Sequence, residues 1–215
     1  GTRIVFQSAR PRQPVAMRQM SANEPGKEEL LLEGRGSFTV SPSSWSPDGR
    51  FIAHTVRGAN IWVLPLSGDR KPFPFADTPF IETSGVFSPD GPWIAYMSNE
   101  GGQGDVYVQA FPGPGVKVQV SKDGGSHPVW RADGRELFFL APDGTLMAVP
   151  IRAGTAFEAG SPQALFQTRA WRFTTNQIYA AARDGQRFLV NATSAKASNA
   201  LPLTAVLNWT APIQK

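Results

Sequence analysis

The chain has no cysteine among its 215 residues and only two histidines, His54 and His127. Disulfides, thiolate metal sites and cysteine nucleophiles are therefore excluded, and imidazole chemistry has two candidate positions. No apolar run is long enough to cross a bilayer as a helix, and no charged-then-apolar leader opens the sequence. Charge of one sign is not concentrated either. The 21 Lys and Arg residues exceed the 17 Asp and Glu by a net +4, and they are scattered apart from loose pairs at Arg10 and Arg12 and at Arg169 and Arg172. Nucleic-acid recognition calls for a concentrated basic face with stacking aromatics, so this distribution argues against that partner.

What the sequence does have is punctuation and repetition. Its 21 Gly and 19 Pro residues, with 41% hydrophobic and 18% charged residues, suit a globular protein of many short strands and turns. One phrase recurs between hydrophobic strands: WSPDGR at 45–50, FSPDGP at 87–92, WRADGR at 130–135 and a worn ARDGQR at 182–187. Its aspartates, Asp48, Asp90, Asp133 and Asp184, are spaced by 42, 43 and 51 residues. That is the period of a four-stranded propeller blade, so the expected fold is an all-β propeller of antiparallel blades. The units run approximately over 1–40, 41–82, 83–125, 126–172 and 173–215 of a single domain or fragment. Three units show four strands each. The first lacks its innermost strand and the last its outermost, which predicts eighteen strands in either a C-terminal piece of a larger propeller or an imperfectly closed five-unit ring. Open strand edges of that kind invite pairing with a second copy, so a tendency to form homodimers is expected.

The Asp-Gly pairs are the most conspicuous polar elements, yet Asp followed by Gly between hydrophobic strands is what a hairpin with positive φ demands. Ser46, Ser88 and the aspartates can bond turn amides locally, so these carboxylates are assigned to structure. Trp45, Phe87 and Trp130 occupy one equivalent position per blade and are expected to pack blade on blade.

The three phrases, each followed by an alternating strand and then by IWVLPL, DVYVQAF or LMAVPI, resemble the TolB-like propeller repeat. The stretch HPVWRADGRELFFLAPDGTLMAVPI, with DGQRFLVN and LTAVLNW, is similar to the C-terminal propeller of bacterial serine/threonine protein kinases. The resemblance is strongest from Trp45 to Asn191 and weakest over 1–38. It implies a sensory or protein-binding module of a larger bacterial protein, in a periplasmic or other extracytoplasmic setting. It does not imply phosphotransfer, because no glycine-rich nucleotide loop, HRD segment or DFG is present.

Function on a propeller resides in loops that the repeats do not specify. The loops joining the last strand of one blade to the first of the next surround the channel mouth, and there the sequence offers Glu82, Thr83, Asp123, His127, Trp171, Arg172 and Asn176. These are the candidate ligand-binding residues for a protein, peptide or carbohydrate. Trp171 and Arg172 stand out because their RAWRF segment accounts for much of the 51-residue interval. Glu82 and Asp123 form the alternative, a glycosidase-like carboxyl pair on neighbouring loops. A further alternative is the gating propeller of a prolyl-oligopeptidase-like peptidase. Ser126 beside His127 is no triad, and there is no GxSxG elbow, HExxH pair or EF-hand ladder. No cofactor or metal is implied, since His and acidic residues do not cluster at ligand spacing. Two sequons, at Asn191 and Asn208, would count only in a eukaryotic secretory setting.

Overall fold

The computed structural model describes residues 2–24, 26–34, 39–153, 156–169, 178–191 and 203–206. Among them nineteen strands form five antiparallel sheets in strict chain order. The first sheet is β1 (Arg3–Ser8), β2 (Ala16–Ser21) and β3 (Glu28–Glu33). The second is β4 (Val40–Trp45), β5 (Phe51–Val56), β6 (Asn60–Pro65) and β7 (Phe73–Ala76). The third is β8 (Glu82–Phe87), β9 (Trp93–Ser98), β10 (Asp105–Ala110) and β11 (Lys117–Gln119). The fourth is β12 (Ser126–Trp130), β13 (Glu136–Leu140), β14 (Thr145–Ala153), β15 (Phe157–Ala159) and β16 (Gln163–Gln167). The fifth is β17 (Tyr179–Ala181), β18 (Phe188–Asn191) and β19 (Leu203–Val206). The sheets pack consecutively, as blades do, and the fold is that of a β-propeller in part.

The fourth sheet departs from the expected four strands. Its β14 runs nine residues, so the start pairs with β16 while the overhang Ile151–Ala153 pairs with the additional β15. The reason is packing: β15 delivers Phe157 against Trp93 at 4.9 Å and Trp130 at 6.4 Å between ring centroids.

The repeated phrase forms the turns assigned to it. Each is a four-residue loop whose glycine lies in the left-handed region, at φ 73° for Gly49, 98° for Gly91, 72° for Gly134 and 70° for Gly185. A side chain there would strain the backbone, which is why the phrase keeps Gly. Asp48, Asp133 and Asp184 each accept from the amide two residues on, at 2.9–3.0 Å. Ser46 accepts from the Phe51 amide and Ser88 from that of Trp93, at 2.9 and 3.2 Å. All of these bonds are local, and each closes a corner between the first and second strands of a sheet.

The innermost strands carry a feature that strand alternation does not announce. In β4, β8 and β12 the pairing with the next strand slips, between Pro42 and Ser44, Thr83 and Val86, and Ser126 and Val129. Within two of these bulges Ser84 and His127 adopt φ of 59° and 54°. Left-handed backbone costs a non-glycine residue about 1–2 kcal/mol. The compensation is visible across the seams. A bulge frees backbone groups from the ladder, and the neighbouring blade takes them up: Ser43 Oγ donates to the Gly85 carbonyl at 2.7 Å, Trp130 Nε1 to Val86 at 3.2 Å, and the Tyr179 hydroxyl to His127 at 2.8 Å. The Phe87 amide donates in turn to Ser44 Oγ at 3.1 Å. The inner ring is thus stitched by hydrogen bonds, and apolar side chains fill the seams outside it.

Those apolar seams form four clusters. Phe87 and Trp130 lie in them as blade-to-blade packing, and Trp45 is partly buried against the first. Alternate residues of each sheet face alternate neighbours, so Ala53, Ile61 and Val63 meet the third sheet while Ile52 and Leu64 meet the first.

Candidate functional site

The connections between sheets are fastened by the first residue of each third strand. Asn60 donates to Asp77 Oδ1 at 2.7 Å and to the Thr78 carbonyl at 3.3 Å. Asp105 is buried and accepts from Ser121 Oγ at 2.6 Å and the Gly124 amide at 3.1 Å. Thr145 bonds Gln167 Oε1 at 2.9 Å. Asp105 is a polar core residue that sequence reading passed over; its place beside Asn60 and Thr145 in the repeat is the signal that identifies it.

Glu82 and Thr83 are not loop residues. They begin β8 and are 1% and 2% exposed, because the connection ends earlier, where the Glu82 amide donates to the Ala59 carbonyl at 2.6 Å. One Glu82 carboxyl oxygen takes the Thr78 hydroxyl, while the other is buried without a partner. Burial pushes the Glu82 carboxyl above the usual carboxylate range, against an opposing pull from Thr78. His127 also sits inside a strand, 4% exposed, with Nδ1 3.0 Å from Ser126 Oγ. The ring is held by its chain neighbour and nearly closed off from solvent.

Asp123 is exposed on the connection after β11, next to Gly124, whose φ of 87° and crowding against Pro142 leave no room for a Cβ. It lines a cavity of about 220 Å³ with Lys122, Phe139 and Met147. Glu82 lines neither this cavity nor a larger one of about 500 Å³ between the first two sheets. The two carboxyls of the glycosidase-like alternative therefore face different surroundings, one buried beside Thr78 and one in solvent. Trp171, Arg172 and Asn176 lie outside the described residues. Among those described, no three His, Asp or Glu side chains form a set able to hold a metal ion, and no helix is long and apolar enough to cross a membrane.

The structure draws attention instead to Phe80 and Ile81, 43% and 46% exposed on the connection into β8. Their backbone is held on both sides: the Phe80 amide donates to Thr78 Oγ1 at 3.2 Å and the Ile81 amide to Asn99 Oδ1 at 2.7 Å. The Asn99 amide returns a 3.3 Å bond to the Ile81 carbonyl. An apolar pair directly after the turn-forming run Asp77-Thr78-Pro79 was the available sequence signal, and the charged neighbours overshadowed it.

No family model matches the chain. Over 107 residues it is 34% identical to the Tol-Pal system protein TolB of Anaeromyxobacter dehalogenans, a match spanning 45% of this chain and 22% of that protein. The fold is similar to TolB from Acinetobacter baumannii, with TM-score 0.64 and 21% identity over 90% of this chain and 49% of that one. It is also similar to the Cps50 (Swd1) β-propeller domain of Myceliophteria thermophila, with TM-score 0.55 and 16% identity over 89% of this chain and 59% of that one. The chain therefore spans about a fifth of the curated TolB proteins it matches and about half of the Acinetobacter baumannii structure. Repeat phrase, sheet order and fold agree on one description, a TolB-like β-propeller.

Proposed function

We propose that this propeller is a protein-binding module, with the connection Thr78–Ile81 as its contact point. The observation that carries the reading is the rigid presentation of Phe80 and Ile81 to solvent. Apolar side chains held in place before binding lose little entropy on association, which is how a few anchors come to dominate an interface. Asp77, Asp123 and Lys122 stand exposed on connections at the same end of the sheets and supply a polar rim. The partner is accordingly a protein or peptide with an apolar anchor flanked by polar groups. In the TolB-like setting the module serves a sensory or interaction role in a larger bacterial protein.

Selection of a random peptide library against the folded chain tests this. Peptides that bind the protein and lose at least about tenfold in affinity to the Phe80→Ser/Ile81→Ser variant are the expected result. Peptides that bind both equally, with the variant's melting curve unchanged, overturn it. The edge of β1 away from β2 is unpaired among the described residues and supports the expectation of homodimers, which concentration-dependent light scattering reads directly.

A further inference from the structure

The 500 Å³ cavity between the first two sheets is distinct from the Phe80–Ile81 rim. One wall is a face of the second sheet, with Val40, His54, Val56 and Trp62, and the other is the end of β3 at Leu32 and Gly34. Lys71, Arg57, Glu33 and Asp77 bring charge to its margin. The volume is that of a site for a small organic ligand.

His54 makes this more than a packing gap. The residue is fully buried, and neither Nδ1 nor Nε2 has a partner in good hydrogen-bond geometry, the Ile52 backbone being the polar group that acts on the ring. Two buried, unsatisfied ring nitrogens are costly, and native structures rarely leave such groups without a purpose. A neutral imidazole presents one donor and one acceptor. A hydroxyl group on a ligand answers either.

The repeat shows what shape fits. Counting from each Asp-Gly turn, His54 stands where the third sheet has Tyr96 and the fourth Phe139, and Trp62 pairs with His54 across the ladder as Tyr107 pairs with Tyr96. At the seam between the second and third sheets the Tyr96 phenol occupies the corresponding space, nearly fully buried, with its hydroxyl donating to Gln109 at 2.9 Å. Lys117 lies over both rings, 4.6 Å from Tyr107 and 5.7 Å from Tyr96, and pairs with Glu100. In the second sheet the imidazole is shorter than a phenol, and the cavity lies on its side of the sheet. Pro72 and Lys71 come where the third sheet has Lys117. Lys71 is in no ion pair among the described residues.

We propose that the cavity binds a small phenolic carboxylate, its ring against Trp62, its hydroxyl on His54 and its carboxylate toward Lys71. The ligand supplies from outside the ring that Tyr96 supplies from within. Its carboxylate takes the role toward Lys71 that Glu100 has toward Lys117.

The test uses the folded chain at neutral pH with three probes, 4-hydroxyphenylacetate, phenylacetate and 4-hydroxybenzyl alcohol, read by calorimetry and saturation-transfer NMR. The expected order places 4-hydroxyphenylacetate first, each single-group loss weakening binding by about tenfold. His54→Tyr fills the cavity and abolishes binding of all three. His54→Leu keeps the space but removes the preference for the hydroxyl, and Lys71→Gln removes the preference for the carboxylate. Melting curves of each variant confirm folding. No binding of any probe to the wild-type chain overturns the proposal, as does binding that His54→Tyr leaves unchanged or a hydroxyl preference that survives His54→Leu.

Discussion

At the seam between the second and third sheets, Tyr96, Tyr107 and five phenylalanine or tyrosine neighbours close the interface, with Phe111 reaching Phe87 at 5.0 Å and Phe51 at 5.2 Å between centroids. At the seam before it, the corresponding cluster is Met17, Val40, Ile52 and Leu64 with Val5, Leu31, Leu32, Trp45 and Leu66 packed against it, and a cavity of about 500 Å³ lies beside them. The second and third sheets share the Asp-Gly turn and the inner-strand bulge, while the first sheet has three strands and no Asp-Gly turn. The turns and ladders set each blade, and one difference between the seams is the residue that faces the previous blade from the second strand, His54 in one and Tyr96 in the other.

The largest effect belongs to the seam between the third and fourth sheets, whose cavity is the smaller one of about 220 Å³. Phe139, at the position of His54 in the fourth sheet, is buried among Trp93, Val106, Leu137 and Phe157. Phe139→Ala is expected to cost about 3–5 kcal/mol, the usual loss for emptying a packed aromatic site. His54→Ala removes atoms that border an existing void and make no hydrogen bond of good geometry, so its cost is expected to be well under half of that. Urea unfolding of the two variants compares them, and equal losses would break the distinction between the seams.

Acid gives the second contrast. Burial holds His54 down to about 4 from 6.5, against a smaller opposing pull from the Ile52 backbone. The unfolded chain therefore binds a proton between these values that the folded chain refuses. Stability from this group is complete above pH 6.5 and falls as pH drops toward 4, by about 3 kcal/mol at most. Glu82 has the opposite sign, since its raised carboxyl makes the folded chain hold a proton more readily, and acidification relieves its cost. Glu33, Asp77, Arg57 and Lys71 margin the same cavity as His54 and stay in place in the control. Subtracting the pH profile of His54→Leu from that of the wild-type chain isolates the imidazole. A difference that is flat between pH 7 and 4 would show that the ring gains a partner on protonation.

Much of this architecture was legible beforehand, and the illegible parts share a cause. The Asp-Gly phrase marks each corner because backbone geometry dictates the residue type, and Asp48, Asp133 and Asp184 bond as that rule requires. Strand alternation then locates the sheets. It does not reveal a slipped register, so Glu82 and His127, read as loop residues, prove to belong to strands whose bulges depend on contacts from a neighbouring blade. The extra strand β15 was missed for a similar reason, since Phe157 is needed only once Trp93 and Trp130 face each other in space. The cavity is a deficit, and a deficit shows only when His54 is aligned with Tyr96 and Phe139.

Converting the receptive seam into a closed one is the third comparison. His54→Tyr restores the side chain that Tyr96 carries, and filling a cavity in this way is expected to stabilise by about 1 kcal/mol. The gain is limited because Leu64 stands where Gln109 accepts the Tyr96 hydroxyl, so the new phenol must find its partner on the open side of the cavity. A rise in thermal midpoint confirms that the two seams differ by one ring. A loss would mean that the walls cannot take a phenol, in conflict with the proposed ligand as well.

The smallest effect on stability separates the rim from every seam. Phe80 and Ile81 expose nearly half of their surface, and the bonds that fix their connection come from backbone amides, Thr78 and Asn99. Replacing both side chains by serine leaves all of those partners in place. The expected change is within about 0.5 kcal/mol, as for surface positions that carry no packing, while peptide binding falls sharply. Small cost to the fold together with a fixed, exposed position is what the proposed contact with another molecule requires of Phe80 and Ile81. A loss of several kcal/mol would instead place Phe80 and Ile81 with Tyr96 and Phe139, as one more seam of the propeller.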